Sequence, residues 1–349
     1  MVVLYVTEQG ATLKKDGKRI VVEKSGEQLL SVPLIHIDRV IVFGNVQLTG
    51  PVIAMLLEGN VDVAFLSVRG KLRGNLRASK SKNVFLRMAQ YDRFKDSDFR
   101  IQVASQIIKA KISNQRQILL RYQRSHPEVD FSETVERLGL AAEQVSSVYG
   151  QVSESSHATL PMLSKAIQIL MGIEGQASSA YFSAFGKMLR GELEFRGRQY
   201  RPSPDPINGL LSLGYSMLTN EIASILEAHS FDPLFGLLHG VRYGRKSLAL
   251  DIVEEFRQPV IDRFTLRLLN LRIFKDSDFQ RHSNGGVYLT EDVIKKYFAE
   301  YEQYIQQQIL IGDQSKQSFR QIFRKQVLNL EKAVMNRTQY EPFISPPQL

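Results

Sequence analysis

Hydrophobic and polar positions alternate along the first 75 residues in the way that is typical of β-strands. Short apolar runs such as VVLYV are separated by polar turns. The dipeptide Asp16-Gly17 stands between two such runs and favours the positive φ angles of a tight hairpin. A short helical segment, VIAMLLEGN, follows Pro51. The pattern therefore predicts a small, mostly β domain at the N-terminus.

From about Val84 onward the hydrophobic period changes to that of helices. Apolar residues recur three and four positions apart in SQIIKAKISNQRQILLRYQRS and in most later segments. We predict an α+β protein, with a small N-terminal mostly β domain over residues 1–85 and a larger all-helical domain over residues 86–349. The proline-rich end of the chain, PFISPPQL, is expected to fray.

Composition excludes several kinds of chemistry. A chain of 349 residues with 43% hydrophobic content is long enough for two domains. Cysteine is absent, which excludes disulfides, thiolate nucleophiles, zinc knuckles and iron–sulfur clusters. No apolar run reaches the length of a bilayer span, and the N-terminus lacks the pattern of a signal peptide. We expect a cytoplasmic protein that does not enter a membrane.

The positive charge of the chain suggests a polyanionic partner. The formal net charge is +9, and residues 1–90 hold 13 basic side chains against 7 acidic ones. Within them, RGKLRGNLRASKSK (69–82) contains six basic residues and no acid. This segment suits a ribbon that contacts phosphates, and it equally suits a solvated linker.

An unusual acidic pair lies in the segment SLALDIVEEF. If the segment is helical, Asp251 and Glu254 project from one face, whereas Glu255 turns away by about 100°. The apolar neighbours indicate that this face is half-buried. Two buried carboxylates repel each other at a cost of several kcal/mol unless a cation, a proton or an arginine compensates. The pattern therefore predicts a positive group beside the pair.

Two further residues complete a candidate cation site. His239 lies 12 residues before Asp251, across the glycine-containing turn GVRYGRK, and Glu174 follows a strongly apolar helical segment in MGIEGQASSAYF. Carboxylates with one imidazole suit Mg²⁺ or Mn²⁺, whereas the HExxH pattern of zinc hydrolases is absent. Spacing alone leaves two interpretations open: His239 is a ligand or a satisfied core histidine, and Asp251 is a site acid or the ion-pair partner of an arginine.

Four segments together resemble the universal CRISPR-associated endonuclease and integrase family, which inserts new spacers into CRISPR arrays. They are GIEGQASSAYFSAF (172–185), RPSPDPINGLLSLGYSML (201–218), LHGVRYGRKSLALDIVEEFR (238–257) and GGVYLTEDVIKKYF (285–298). The resemblance implies that Glu174, His239 and Glu254 bind Mg²⁺ or Mn²⁺ and that Asp251 assists them or shares the metal. It leaves Glu255 as a neighbour that we expect to be replaceable. It also implies a metal-dependent attack of a DNA 3′-hydroxyl, or of water, on a phosphodiester.

The resemblance further implies a set of partners. These are double-stranded DNA (protospacer and CRISPR repeat), a second copy of the chain held through the β domain, and a small ferredoxin-like CRISPR-associated protein. Basic residues near the proposed ligands suit phosphate contacts, although each also suits simple solvation: Arg242, Arg245, Lys246, Arg196, Arg198 and Arg201. Two alternatives remain, namely a general helical metal-dependent DNA repair nuclease and a noncatalytic nucleic-acid-binding scaffold.

Overall fold

The N-terminal part of the chain folds into strands, as its alternating pattern predicts. The computed structural model describes residues 2–68, 72–78, 83–153, 159–199, 202–311 and 315–347. The first elements are Val2–Val6 (β1), Thr12–Asp16 (β2), Arg19–Lys24 (β3), Glu27–Pro33 (β4), a 3-10 turn at Leu34–His36, Ile37–Phe43 (β5), Gln47–Leu48 (β6), Gly50–Glu58 (α1), Asp62–Leu66 (β7) and Leu72–Leu76 (β8). The predicted hairpin joins β2 to β3, and Gly17 has a φ of 55° in its turn.

These strands form two four-stranded sheets within the described residues. One has the order β1-β5-β7-β8, with the first three strands parallel and β8 antiparallel to β7; the other has the order β4-β3-β2-β6. Register in the first sheet places Leu4 opposite Val40. Side chains from both sheets and from α1 share one apolar core, in which Leu13, Val63 and Leu56 are fully buried.

The remainder of the chain is mainly helical, so the predicted α+β class is confirmed. Its helices are Val84–Lys95 (α2), Ser97–Ser125 (α3), Ser132–Ser153 (α4), Leu160–Gly186 (α5), Pro206–Ala228 (α6), Ser247–Glu254 (α7), a π-helix at Arg257–Asp262, Arg263–Asn270 (α8), a 3-10 turn at Asp276–Asp278, Glu291–Gln306 (α9) and Phe319–Asn336 (α10). Two short hairpins pair Phe279–Arg281 (β9) with Val287–Leu289 (β10) and Gln308–Ile311 (β11) with Ser315–Ser318 (β12).

Local sequence explains where the main helices begin. Asp96 caps α3 by accepting a hydrogen bond from the Phe99 N–H at 3.0 Å. Asp205 caps α6 in the same way, and Pro206 follows it at the first helical position, where the absence of an N–H is harmless. None of the described helices combines the length and the apolar character needed to cross a bilayer.

The chain forms two units that are not simply consecutive. One comprises Met1–Lys80 with Leu289–Glu302, and the other comprises Ser81–Tyr288 with Gln303–Leu349. In the first unit, the ring of Phe298 from α9 stacks on Phe43 with centroids 4.1 Å apart. Helical periodicity shows that α9 has an apolar face, but it does not indicate which element that face packs against.

The proline-rich C-terminal segment is packed, and the prediction that it frays was wrong. Tyr340 is 1% exposed, and its hydroxyl donates to Glu255 Oε1. The Phe343 N–H donates to Glu255 Oε2 at 2.7 Å, and the Ser345 N–H donates to Asn114 Oδ1 at 2.8 Å. Proline content predicted a free end, but buried side chains of other elements satisfy the backbone groups of this segment.

Candidate active site

Three helices bring Glu174 and Glu254 to one place. Glu174 lies within α5, Glu254 is the last residue of α7, and both helices pack against α3. Lys111 projects from α3 between the two acids: its ammonium contacts Glu174 Oε1 and lies 2.7 Å from Glu254 Oε2. A positive group was predicted beside the pair of Asp251 and Glu254; Lys111 lies beside Glu254, but its other carboxylate partner is Glu174.

A polar chain orients the Glu174 carboxylate. Ser178, one turn later on α5, donates from Oγ to Glu174 Oε1 at 2.8 Å, and Gln115 Nε2 donates to Ser178 Oγ at 3.2 Å. The Glu174 side chain retains 25% exposure, against 6% for the side chains of Lys111 and Glu254. Glu174 therefore forms the side of the site that is open to solvent.

Glu254 is a buried carboxylate stabilised by surrounding charge. Burial raises its pKa, but the positive charges of Arg257, Lys111 and His239 outweigh burial and lower the pKa to about 2. Arg257 Nε lies 3.3 Å from Glu254 Oε2. Nevertheless, Oε2 accepts no well-aligned hydrogen bond from the described residues. This oxygen is held by ionic contacts with Lys111 and Arg257.

The Lys111 ammonium remains charged in this setting. Burial lowers its pKa, but the attraction of Glu254 and Glu174 outweighs burial, and the net shift of the lysine pKa is upward. Lys111 and Glu254 thus form an ionised pair at the junction of α3, α5 and α7, and the Glu174 carboxylate contacts the same ammonium.

Asp251 holds the loop that carries His239. It is fully buried, and its Oδ2 accepts from the N–H groups of Leu237 and Leu238 at 2.6 and 3.1 Å. Its Oδ1 accepts from the His239 N–H at 3.0 Å and from the imidazole Nδ1 at 2.7 Å. The loop lies close to α7 at Gly236, where an added Cβ would stand 2.6 Å from the Ser247 Cβ. These contacts fix both the loop and the ring.

The contacts of Asp251 turn the other imidazole nitrogen toward the acids. His239 Nε2 lies 3.8 Å from Glu254 Oε1. Burial lowers the pKa of His239, but the hydrogen bond and charge of Asp251 and the charge of Glu254 outweigh it, and the pKa rises above 6.5. Asp251 and Glu254 therefore have different partners: Asp251 binds the loop and Nδ1, while Glu254 faces Lys111 and Nε2.

Glu255, which the resemblance left as a replaceable neighbour, is part of a buried network. It turns away from Glu254 as expected but is fully buried, and burial raises its pKa to about 8. Its carbonyl lacks the usual helical donor because Pro259 has no N–H, and Asn114 Nδ2 donates to that carbonyl at 2.8 Å. The expectation was wrong because the residue rotates into a second buried network.

The predicted phosphate-binding residues differ in exposure, and some of them donate hydrogen bonds within the fold. Arg196 and Arg242 are exposed, and Arg196 pairs with Glu194 at 2.8 Å. Arg245 is committed to the His239 loop: it donates to the His239 carbonyl and, from Nε at 3.0 Å, to Ser247 Oγ.

Arg198 and Lys246 are more buried than Arg196 and Arg242. Arg198 donates to Asn208 Oδ1 at 2.7 Å and to Ser212 Oγ at 3.0 Å, which ties the segment before α6 to the helix. Lys246 is half-buried at the start of α7. Arg201 lies outside the described residues.

A buried tyrosine–aspartate cluster adjoins the acids. Tyr181 Oη donates to Asp262 Oδ2 at 2.9 Å, and Tyr215 Oη donates to Asp262 Oδ1. The guanidinium of Arg257 lies over the Tyr215 ring, 4.8 Å from its centroid, while its Nε faces Glu254. Both tyrosines are core residues.

Lys111 and Arg257 were not identified from the sequence, although Lys111 left a signal. It lies four residues after Ile107 and three after Ile108, which are both buried, so a charged side chain stands on the apolar face of α3. A lysine in that position predicts a buried ion pair. The identity of its partners, 63 and 143 residues later, was not contained in the local pattern.

The present arrangement is not that of a closed metal shell. Across the described ranges, no three histidine, aspartate or glutamate side chains converge as a bound metal ion requires. The Lys111 ammonium instead lies between Glu174 and Glu254. Two carboxylates, an imidazole nitrogen on the same side and one internal cation are the groups that the structure brings together.

Known proteins resemble this chain in sequence and in fold. The chain matches the sequence profile of the family described as CRISPR associated protein Cas1 over residues 4–303. A curated relative, the CRISPR-associated endonuclease Cas1 2 of Rhodospirillum rubrum, is 34% identical over 86% of this chain and 85% of that protein.

Two solved structures share the fold at 22% identity. A casposase bound to integration product has a TM-score of 0.82, with 99% of this chain and 94% of that chain covered. A Cas6-RT-Cas1–Cas2 complex has a TM-score of 0.75, with 99% of this chain and 36% of that chain covered.

Proposed function

Since the chain belongs to the Cas1 family of CRISPR-associated proteins, we propose that it cuts and joins DNA at the site formed by Glu174, His239 and Glu254. It is a CRISPR-associated endonuclease of that family. The reaction we assign to it is insertion of spacer DNA into a CRISPR array, by attack of a DNA 3′-hydroxyl on a phosphodiester. The observation that carries the proposal is the convergence of two carboxylates on one cation, with His239 Nε2 beside them.

The residues present fit a divalent ion, and we propose Mg²⁺ or Mn²⁺. Glu254 Oε2 is buried and lacks a well-aligned donor among the described residues, and the position between the two glutamates already holds positive charge. Carboxylate oxygens with one imidazole are a hard donor set of the kind these ions prefer. Glu174, Glu254 and His239 would hold the ion, which would supply Lewis acidity at the scissile phosphate.

Other side chains keep these groups in place. Asp251 accepts a hydrogen bond from the protonated Nδ1 of His239. The lone pair of Nε2 is therefore directed toward Glu254 and is available for ligation. Arg245 fixes the loop backbone on the C-terminal side of His239 through the carbonyls of His239 and Gly240. We therefore assign Asp251 and Arg245 to positioning rather than to direct contact with DNA.

For DNA binding, we propose that the exposed Arg196 and Arg242 contact phosphates of double-stranded protospacer and repeat DNA. Both lie in surface segments, so contact with a polyanion requires no break in a buried network. Lys246 stays in the proposal as a half-buried residue beside Arg245, and Arg201 stays in it on the basis of the sequence. Since its substrate is the cell's own array, we propose the cytoplasm as its compartment.

We also propose that the first unit forms the dimer contact. β4 is an edge strand of its sheet, and its Leu29 and Leu30 are 45% and 42% exposed; Ile35, just after it, is 88% exposed. Exposed apolar residues on a sheet edge favour pairing with a second chain. Leu30→Asp with Ile35→Asp should convert a dimer to a monomer in sedimentation analysis, and an unchanged dimer would contradict this assignment.

A ferredoxin-like CRISPR-associated protein is the second proposed partner. One solved structure that shares this fold is a Cas6-RT-Cas1–Cas2 complex. Co-purification of this chain with the small protein encoded beside it would test the proposal, and separate elution at micromolar concentrations would contradict it.

The catalytic proposal is tested with purified protein, Mn²⁺, a plasmid carrying a repeat and a labelled duplex with free 3′-hydroxyls. Glu174→Gln, Glu254→Gln and His239→Ala should abolish cutting and joining, while Glu136→Gln, an exposed glutamate on α4, should retain both. Joining at the repeat ends supports an array integrase. Cutting without site-selective joining would support a repair nuclease, and salt-dependent binding with no reaction would support a scaffold.

A further inference from the structure

Lys111 is the one described side chain that contacts both proposed metal-binding glutamates. Its ammonium contacts Glu174 Oε1 and lies 2.7 Å from Glu254 Oε2, and only 6% of its side chain is exposed. Arg257, the other cation nearby, contacts Glu254 at 3.3 Å and directs its guanidinium face over Tyr215. The position between the two acids is therefore filled by a lysine of α3.

The protein needs a cation at this position. Glu254 is nearly as buried as Lys111, and two carboxylates brought together away from water repel each other strongly. A lysine that reaches both of them offsets that repulsion. Its ammonium lies at the end of a flexible four-carbon stem, so it can withdraw from the acids while the backbone of α3 stays in place.

We propose that Lys111 is an internal counter-ion that holds the Glu174–Glu254 pair together in the metal-free protein and competes with the divalent ion for that position. The inference rests on the proposed function, because it takes these two glutamates as metal ligands. Lys111 acts through them and is thus a positioning residue. It sets how tightly the site binds metal and prevents the empty site from opening by charge repulsion.

This role predicts two effects of opposite sign when the charge is removed. Metal affinity should rise, since a positive charge within contact distance of both ligands no longer opposes the ion; the increase should be at least about tenfold. The metal-free protein should become less heat-stable, because the two carboxylates then repel each other without compensation. A merely structural lysine would lower stability without tightening metal binding.

The experiment measures Mn²⁺ binding to metal-free protein by titration calorimetry, and melting temperature in EDTA and in Mn²⁺. Lys111→Met should bind Mn²⁺ at least about tenfold more tightly than the parent protein, melt lower in EDTA and gain more from Mn²⁺. Lys111→Arg should keep the parent affinity, because it keeps the charge. Lys109→Met is the matched control: it removes an exposed lysine from the same helix and should change neither quantity.

If Lys111→Met does not fold, Lys111→Gln replaces it, since the amide can still donate to a carboxylate, and the same tightening is expected. Mn²⁺ affinity equal to or weaker than that of the parent in the folded neutral variant would overturn the inference. Glu254→Gln separates this outcome from failure of the proposed function. If Glu254→Gln binds Mn²⁺ and cuts DNA like the parent, the site assignment fails; if it loses both while the Lys111 variant shows no tightening, only the counter-ion role fails.

Discussion

Replacing Asp251 by asparagine changes one buried oxygen to an amide nitrogen and tests how His239 is held. In the parent protein, the carboxylate accepts four hydrogen bonds: from the N–H groups of Leu237, Leu238 and His239, and from the imidazole Nδ1. An asparagine has one acceptor oxygen, and its amide group is itself a donor. Whichever way it turns, two of the four donors face an N–H₂ group.

The size of the effect follows from the burial of these donors. Asp251 is fully buried, so no water replaces the lost partner. If the amide faces Leu237 and Leu238, two backbone N–H groups are left without an acceptor at about 1–3 kcal/mol each, and the unfolding free energy should fall by about 2–6 kcal/mol. If it faces the imidazole, Nδ1 becomes an acceptor and Nε2 carries the proton, which removes the lone pair that the proposed metal ligation requires.

Urea unfolding in EDTA and calorimetric titration with Mn²⁺ measure the two consequences. We expect Asp251→Asn to lose about 2–6 kcal/mol of stability, to bind Mn²⁺ about 10-fold to 100-fold more weakly, or both. Asp16→Asn is the control, because Asp16 is exposed and Asn-Gly favours the same hairpin turn as Asp-Gly. A variant within about 0.5 kcal/mol of the parent that also binds Mn²⁺ equally well would refute the assigned role of Asp251.

Three further predictions concern the surroundings of the site. Burial raises the pKa of Asp262, against the two tyrosine hydrogen bonds, to about 6, so the folded state holds this proton more tightly than the unfolded state does. Protonated Asp262 should contribute about 3 kcal/mol to the unfolding free energy below pH 4, and this contribution should be lost as the pH rises through 6. Asp262→Asn should remove this pH dependence of the stability in urea titrations. Gly236→Ala should cost about 1–3 kcal/mol in the same assay, because its Cβ would lie 2.6 Å from that of Ser247; unchanged stability would show that the loop can move. Arg242→Ala should weaken DNA binding and reduce the salt slope by about 1 at unchanged melting temperature, and an unchanged salt slope would remove Arg242 from the DNA surface.

The fold was largely predictable because its signals are local. The Asp16-Gly17 turn, the alternation of the first strands and the change of period near Val84 each depend on neighbours in the sequence. The packing of α9 with the first unit and the burial of Tyr340 depend on elements distant in the chain. Neither periodicity nor proline content carries that information.

The sequence predicted the acids and the histidine of the candidate site, but not which group each of them contacts. Spacing correctly placed Asp251 and Glu254 among buried groups that need positive partners. It could not show that the loop before α7 passes close enough for three N–H groups to reach Asp251, leaving Glu254 to face Lys111. Glu255 was misjudged for a related reason: helical rotation shows which way a side chain turns, but not whether another element covers it.

The most direct measurement of the central claim is the single-turnover rate at which a labelled 3′-hydroxyl DNA end joins a repeat-containing target in Mn²⁺. The parent protein should give a joined product, and Glu254→Gln, which keeps the size of the side chain and removes its charge, should lower the rate at least about 100-fold. Glu136→Gln should join at the parent rate. Joining by Glu254→Gln at the parent rate would contradict a reaction centred on Glu174, His239 and Glu254.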